Sequence, residues 1–310
     1  MSFTTISADI ERFLDWKEAV AAIEAGHTLP KAQITDSFLY QGQNTLLSRA
    51  AWIAGLGALV KTATVFPANV QKNLPSVNGS AAIYSDEDGR CEAIVDFHLL
   101  TKWKTAADSL CAAGYLARPD SRNITLVGAG AVARSMYDAY RTIFPEARFT
   151  IWARNNDQSM QFSRDLENAA AEADLEKAVR QADIVCTATM SKTPLVEGDW
   201  LCPGQHLDLI GAYRPDMREV DDVALRRACL FVDSRETTLD HIGELKDPIG
   251  RNVIVKTDVI ADFYDIQSGL FSRPEEASIT ICKNGGGAHL DLMLARYILD
   301  TWNNRKESIS

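Results

Sequence analysis

The chain has 310 residues, enough for two domains with a sizeable core. Hydrophobic residues make up 46% and charged residues 24%, the proportions of a water-soluble globular protein. Asp plus Glu number 42 against 32 for Lys plus Arg, a formal charge of −10 that disfavours nucleic acid or an anionic membrane as partner.

Cys91, Cys111, Cys186, Cys202, Cys229 and Cys282 are scattered, with no CxxC or zinc-type pairing, and read as reduced thiols. The N-terminal stretch has no basic segment followed by an apolar one, and no window approaches an uncharged span of membrane length. These readings predict a cytoplasmic protein without a membrane partner. His27, His98, His206, His241 and His289 form no ligand pattern, so no metal is expected.

Asp15-Trp-Lys-Glu18 has the capping-box pattern, with Val20 and Ile23 following at helical spacing and Pro30 closing the unit. From Thr35 to Asp96 the texture is β-like, with runs at 37–48, 58–66, 81–84 and 91–95 and a hairpin-type turn at Asp86-Glu-Asp-Gly89. A helix is predicted over 100–117, with Thr101 as N-cap and Ala107, Leu110, Cys111 and Gly114 on one stripe. Pro119-Asp-Ser-Arg122 reads as the hinge into a second domain.

That domain opens on Ile124-Thr-Leu-Val-Gly-Ala-Gly-Ala-Val-Ala-Arg134, a short buried strand turning into a helix over 131–140. Gly128, Gly130 and Ala133 fit the G-x-G-x-x-G/A dinucleotide fingerprint. Gly128 permits the tight turn, and Gly130 lets the N–H groups of Gly130, Ala131 and Val132 approach a pyrophosphate. Ala133 lets the helix lie close on the strand, with its N-terminus facing the phosphate charge. About twenty residues on, the strand from Arg148 ends at Ala153-Arg154-Asn155, where an NAD-preferring site usually places Asp or Glu. A carboxylate there would repel a 2′-phosphate, whereas a guanidinium pairs with it. Either Arg154 does so, and NADPH is the cofactor with NADH a second possibility, or it is a solvated surface arginine.

Helices are predicted near 157–170 and 174–181, and strands at 183–188, 206–211, 229–232 and 277–282. Lys283-Asn-Gly-Gly-Gly287 precedes a closing helix over 288–302. Strands alternating with helices indicate a Rossmann-type doubly wound parallel sheet, an α/β class distinct from the α+β region before it. His289, at a helix start, reads as a cap or a ligand-facing residue.

Basic residues stand inside regular elements of the first region: Arg49, Lys61 and Lys104. Strand alternation puts Leu59, Lys61 and Ala63 on one face, so Lys61 is either a snorkelling rim residue or a buried, perturbed one. Lys104 and Asp108 stand one helical turn apart and could pair.

Along nearly its whole length the chain resembles the ornithine cyclodeaminase/mu-crystallin family. The matching stretches are Lys61-Thr-Ala-Thr-Val-Phe-Pro-Ala-Asn69, Leu100-Thr-Lys-Trp-Lys-Thr-Ala-Ala-Asp108, the fingerprint, Ala182-Asp-Ile-Val-Cys-Thr-Ala-Thr189 and Gly211-Ala-Tyr-Arg-Pro-Asp-Met-Arg-Glu219. The resemblance implies that residues 1–119 plus 288–310 form a discontinuous substrate-binding and dimerisation domain. An NAD(P)-binding domain, 120–287, would be inserted between the two pieces. It also implies a homodimer and a small imino- or amino-acid substrate held in a cleft between the domains. The substrate carboxylate would be gripped by Arg49 and Lys104, with Lys61 beside the nicotinamide and Tyr213 on the substrate. Thr105, Thr187 and Gly211 join the cofactor-binding set.

Two departures from the family pattern bear on the activity. Lys104 stands where many members have an arginine, supplying charge without the bidentate fork, and Arg49 stands where many have methionine. Tyr213 stands where the cyclodeaminases have an acidic residue, which counts against cyclodeaminase chemistry. The resemblance thus implies an NAD(P)H-dependent ketimine reductase converting Δ1-pyrroline-2-carboxylate to proline. The alternatives it leaves are ornithine cyclodeaminase with bound NAD, an amino-acid dehydrogenase or iminosuccinate-type reductase, and a non-catalytic NADPH- or ligand-binding protein.

Overall fold

The computed structural model describes residues 3–307. It divides into two compact units, one running up to Lys104 and resuming at Gly287, the other Thr105–Gly286. The dividing point after Lys104 lies within the helix Phe97–Leu116. The expected outer limits at residues 1 and 310 lie outside the described residues.

The first unit is built on a six-stranded sheet: β1 (Thr4–Ile6), β2 (Gln33–Gln41), β3 (Asn44–Ile53), β4 (Gly57–Val65), β5 (Val77–Tyr84) and β6 (Cys91–Asp96). Its order is β1-β6-β5-β4-β3-β2, antiparallel except for the parallel β1–β6 pair. The run read as one strand over 37–48 is a hairpin, because Gly42 adopts φ +60° and reverses the chain there. Helix α1 (Trp16–His27) starts where Asp15 accepts the N–H groups of Lys17 and Glu18, the cap the sequence predicts. Helix α2 (Phe97–Leu116) begins earlier than predicted. Asp96 accepts the Leu99 N–H, and the Thr101 hydroxyl lies inside the helix and donates to the Phe97 carbonyl. On the predicted stripe Ala107, Leu110 and Cys111 are buried, but Gly114 is exposed. The closing helix, which packs against α1 and β2 to β6, spans Ala288–Glu307.

The second unit holds an all-parallel eight-stranded sheet: β7 (Asn123–Val127), β8 (Arg148–Trp152), β9 (Ala169–Ala171), β10 (Ile184–Thr187), β11 (His206–Leu209), β12 (Cys229–Val232), β13 (Val259–Ala261) and β14 (Thr280–Lys283). Their order is β13-β12-β14-β11-β10-β7-β8-β9. This is the doubly wound parallel sheet that the alternating pattern predicts. Helices α3 (Ala131–Ile143), α4 (Asn156–Arg164), α5 (Leu175–Arg180), α6 (Asp222–Arg227), α7 (Arg235–Thr238) and α8 (Gly243–Gly250) connect the strands; the closing helix is α9. The helix expected over 157–170 stops at Arg164, since the run Ala169–Ala171 pairs with β8 as an edge strand.

Strand order reverses between β7 and β10: β8 and β9 lie to one side of β7, and β10, β11, β14, β12 and β13 to the other. The crevice at the carboxyl ends of strands that part in this way is where such sheets take their ligands. Asp183 fixes the opposite end, accepting the Arg122 and Asn123 N–H groups at 2.9 Å and Arg118 Nη2 at 2.6 Å. Apolar side chains such as Val127, Val185, Leu207, Leu209, Val232 and Ile281 fill the core around the central strands.

Candidate active site

At the switch point the turn after β7 is sterically dictated. Gly128 has φ +131°, and a Cβ there would meet the Ala188 carbonyl oxygen at 2.7 Å. Glycine is therefore required both by conformation and by the close approach of the β10 loop. Gly130 is the N-cap of α3 and makes no side-chain cap, and the space its Cβ would enter is open. The first N–H groups of α3 are thus left for an anion, with the helix dipole behind them. Ala131 and Val132 are exposed beside it, whereas Ala133 is fully buried against the strand.

At the end of β8, Ala153 is buried and Arg154 is exposed, with no hydrogen bond or ion pair among the described residues. Asn155 caps α4 by accepting the Asp157 N–H. These residues fit a dinucleotide: an uncapped helix end for pyrophosphate, an apolar residue in place of the ribose carboxylate, and an arginine within the same turn. A bound nicotinamide supplies or accepts hydride; the other groups bind and orient it.

Thr187 ends β10 fully buried, its hydroxyl 3.5 Å from the Asp208 carbonyl. Gly211 lies in the next loop, where a Cβ would come within 2.2 Å of Thr189 backbone atoms. Tyr213 is 62% exposed. Thr105 is half-buried on α2 as the first residue of this unit.

In the first unit the register of three strands brings charged residues into one row. Asp36 on β2 faces Arg49 on β3, and Arg49 faces Lys61 on β4. Helix α2 adds Thr101 and Lys104, one turn apart, and α9 adds Asp291 from its first turn. Lys61 is only 6% exposed; its Nζ donates to Thr101 Oγ1 and to Asp291 Oδ1, both at 2.8 Å. It also lies 4.8 Å from the centre of the Phe97 ring. Lys61 is therefore the buried group and not the rim residue.

Arg49 donates to Asp36 at 2.7 Å and stands 3.9 Å from Asp291 Oδ2. Lys104 is 9% exposed and makes no hydrogen bond or ion pair among the described residues, yet acts electrostatically on Lys61 and Asp291. Its predicted partner Asp108 accepts a hydrogen bond from Asn284 instead.

Burial pushes the Lys61 ammonium below its ordinary pKa, against the pull of Asp291, and Lys104 and Arg49 add to the push. Burial would raise the Asp291 pKa, but Lys61, Lys104 and Arg49 together hold it below the usual carboxylate range. Three cations meet two carboxylates, one of them fully buried, and so remain in excess where little water reaches. The arrangement invites a small carboxylate.

Sequence reading missed Asp291, because an acid in the first turn of a helix passes for a dipole complement. His289 is neither an exposed residue nor a cap. It is fully buried, edge-on to His27 at 5.5 Å, and burial holds its pKa well below the ordinary value. Glu219 closes the Gly211–Glu219 motif in the sequence. It is fully buried and accepts four hydrogen bonds, from Thr189 N, Thr189 Oγ1, Gly211 N and Ala212 N. Among the described residues no three or more His, Cys, Asp or Glu are grouped to hold a metal. No helix there is long and apolar enough to cross a membrane.

Residues 41–306 match the sequence model of the ornithine cyclodeaminase/mu-crystallin family. The chain is 51% identical over 291 residues, 92% of each chain, to the Δ1-pyrroline-2-carboxylate reductase of Paracoccus denitrificans (strain Pd 1222). Its fold is similar to that of the Thermococcus litoralis Δ1-pyrroline-2-carboxylate reductase in complex with NADH and L-proline, with TM-score 0.89 and 25% identity over 98% of both chains. It is also similar to an archaeal alanine dehydrogenase dimer with bound NAD, with TM-score 0.90 and 27% identity over 99% of this chain and 98% of that one. Motifs, fold and these likenesses agree: the chain belongs to the ornithine cyclodeaminase/mu-crystallin family.

Proposed function

We propose that the chain is an NAD(P)H-dependent imine reductase converting Δ1-pyrroline-2-carboxylate to L-proline. The observation that carries this reading is the buried excess of cations around Asp291 in the first unit. A carboxylate bound between Arg49 and Lys104 balances that charge. Holding the acid group fixes the adjacent imine carbon, and such orientation accounts for much of the acceleration in a bimolecular step. The 51% identity to a reductase of the same substrate supports the choice of a cyclic imine. Tyr213, in the position where the cyclodeaminases carry an acid, supports reduction over cyclodeamination.

Lys61 stands at the reacting end of this cluster. Held between Thr101 and Asp291, it keeps its proton for the imine nitrogen, and its lowered pKa eases the transfer. The carbon accepts hydride and the nitrogen a proton, which together give the secondary amine of proline. Asp291 orients the ammonium and balances its charge until the proton leaves.

Arg154 selects NADPH over NADH. Its guanidinium has no partner among the described residues, and the buried Ala153 leaves no carboxylate to repel a 2′-phosphate. NADH remains a weaker donor in this reading. The protein acts as a homodimer, whose contact lies on the apolar surface of β2 and β3. Phe38, Leu39 and Tyr40 are exposed in succession on the edge strand, Tyr40 by 73%, a surface that a lone chain would leave open to aggregation.

Purified protein with NADPH and Δ1-pyrroline-2-carboxylate is expected to oxidise the cofactor and release proline; no turnover with any cyclic α-imino acid would sink the reading. Lys61→Met is expected to lower kcat about 10²- to 10⁴-fold. The wild-type rate should fall on the alkaline side with an apparent pKa below 10.5, because the donor must be protonated. An alkaline limb unchanged in Lys61→Met would remove Lys61 from the proton step. Arg154→Ala should raise the KM for NADPH about tenfold and leave that for NADH nearly unchanged; equal effects on both cofactors contradict the 2′-phosphate contact. Light scattering should give twice the mass of one chain, and Tyr40→Glu should shift it toward the monomer; a wild-type monomer refutes the dimer.

A further inference from the structure

The loops that follow β10 and β11 are held by a buried carboxylate, that of Glu219. Glu219 accepts the N–H groups of Thr189 at 2.8 Å, Gly211 at 2.8 Å and Ala212 at 3.1 Å, and the Thr189 hydroxyl at 2.7 Å; the Gly211 N–H is shared with the Thr187 carbonyl at 3.1 Å. Its own backbone is anchored in turn: the Glu219 and Val220 N–H groups donate to the Glu244 carboxylate at 2.7 and 3.0 Å. The Glu219 carbonyl accepts from Leu195 and Val196. Gly211 is pressed so closely on Thr189 and on Glu219 that a Cβ would come within 2.4 Å of the carboxylate.

A trans peptide is planar, with the N–H of one residue opposed to the carbonyl of the residue before it. Aiming the N–H groups of Thr189, Gly211 and Ala212 at Glu219 therefore turns the carbonyls of Ala188, Ile210 and Gly211 the other way. Among the described residues none of these three carbonyls accepts a hydrogen bond. The Ala188 oxygen lies beside Gly128, 2.7 Å from where a Cβ would stand, which puts it at the dinucleotide turn. Three half-buried carbonyls with no protein donor among the described residues, at the carboxyl edge of a parallel sheet, are placed to accept from the N–H donors of a ligand.

We infer that Glu219 is a positioning residue: by claiming the N–H groups of Thr189, Gly211 and Ala212 it presents the opposed carbonyls as acceptors for the carboxamide –NH2 of the nicotinamide ring. The inference rests on the cofactor assignment of the preceding section and deepens it. Glu219 acts through the peptides it holds. It sets the direction of those peptides, and so fixes which face of the ring is offered for hydride transfer. The Glu244 carboxylate, pushed up to about 7 by burial and by Glu219, is the brace behind it.

The test compares three ligands by titration calorimetry on the full chain. NADPH carries the carboxamide; its reduced 3-acetylpyridine analogue replaces the –NH2 by a methyl group; 2′-phospho-ADP-ribose lacks the ring altogether. Wild type should bind NADPH about tenfold tighter than the acetylpyridine analogue, the worth of one to two such hydrogen bonds. Glu219→Gln places an amide against N–H donors, and should bring that ratio to within about twofold while 2′-phospho-ADP-ribose binds as before. Thr189→Val removes the hydroxyl, with its bond to Glu219 and the longer one it accepts from the Ser191 N–H at 3.3 Å, but keeps the three backbone bonds to Glu219, and should lower the ratio part of the way if Glu219→Gln does not fold. A ratio unchanged in both variants, or in Thr189→Val alone should Glu219→Gln not fold, overturns the inference. A wild-type ratio of one overturns it too, while NADPH binding itself upholds the cofactor reading. Failure of wild type to bind either NADPH or 2′-phospho-ADP-ribose would overturn both.

Discussion

The structure depends on one electrostatic constraint, the burial of Lys61 against Asp291 with Arg49 and Lys104 close by. Removing charges from water is costly unless they are paired and hydrogen-bonded. Asp291 offsets part of that cost, and Thr101 satisfies another Lys61 proton. What stays unbalanced is a cationic surplus, maintained because its members stand on rigid elements: Asp36 on β2, Arg49 on β3, Lys61 on β4, Thr101 and Lys104 on α2, and Asp291 on α9. In the proposed function a ligand carboxylate completes the set, so that one cluster with a perturbed lysine serves both binding and proton donation.

The second unit solves a different problem, how to hold an extended anionic dinucleotide with few charged groups. It uses backbone. The α3 N-terminus carries no side-chain cap, Gly128 and Gly211 allow three loops to stack at one edge, and the Glu219 carboxylate orders two of them. Negative net charge elsewhere on the chain is no obstacle, since the helix end supplies local positive potential.

Much of this was legible in the sequence. The fingerprint at 124–133 and the alternation of strands and helices specify the parallel sheet, because spacing there directly encodes turn sterics and face periodicity. Strand alternation put Lys61 on one face with Leu59 and Ala63 and left rim or interior open; the burial of all three decides for the interior. The family likeness rested on motifs, not on composition, and the matched residues 41–306 span them. Less visible were features decided by tertiary contact. The β2–β3 turn at Gly42 sits in a run of strand-forming residues, and the start of α2 depends on the Asp96 side chain reaching Leu99. Asp291 and Glu219 lie 230 and 30 residues from the groups they serve, Lys61 and Thr189. No local pattern announces such a partner.

The central claim concerns where the substrate's acid group binds. A crystal structure with NADPH and pyrrole-2-carboxylate, a flat mimic of the cyclic imine, tests it most directly. The account predicts the carboxylate oxygens at hydrogen-bond distance, about 3 Å, from the Arg49 guanidinium and Lys104 Nζ, with the ring nitrogen turned toward Lys61. A carboxylate bound away from all three cations, with the Lys61–Asp291 pair unchanged and no ligand beside it, would contradict it.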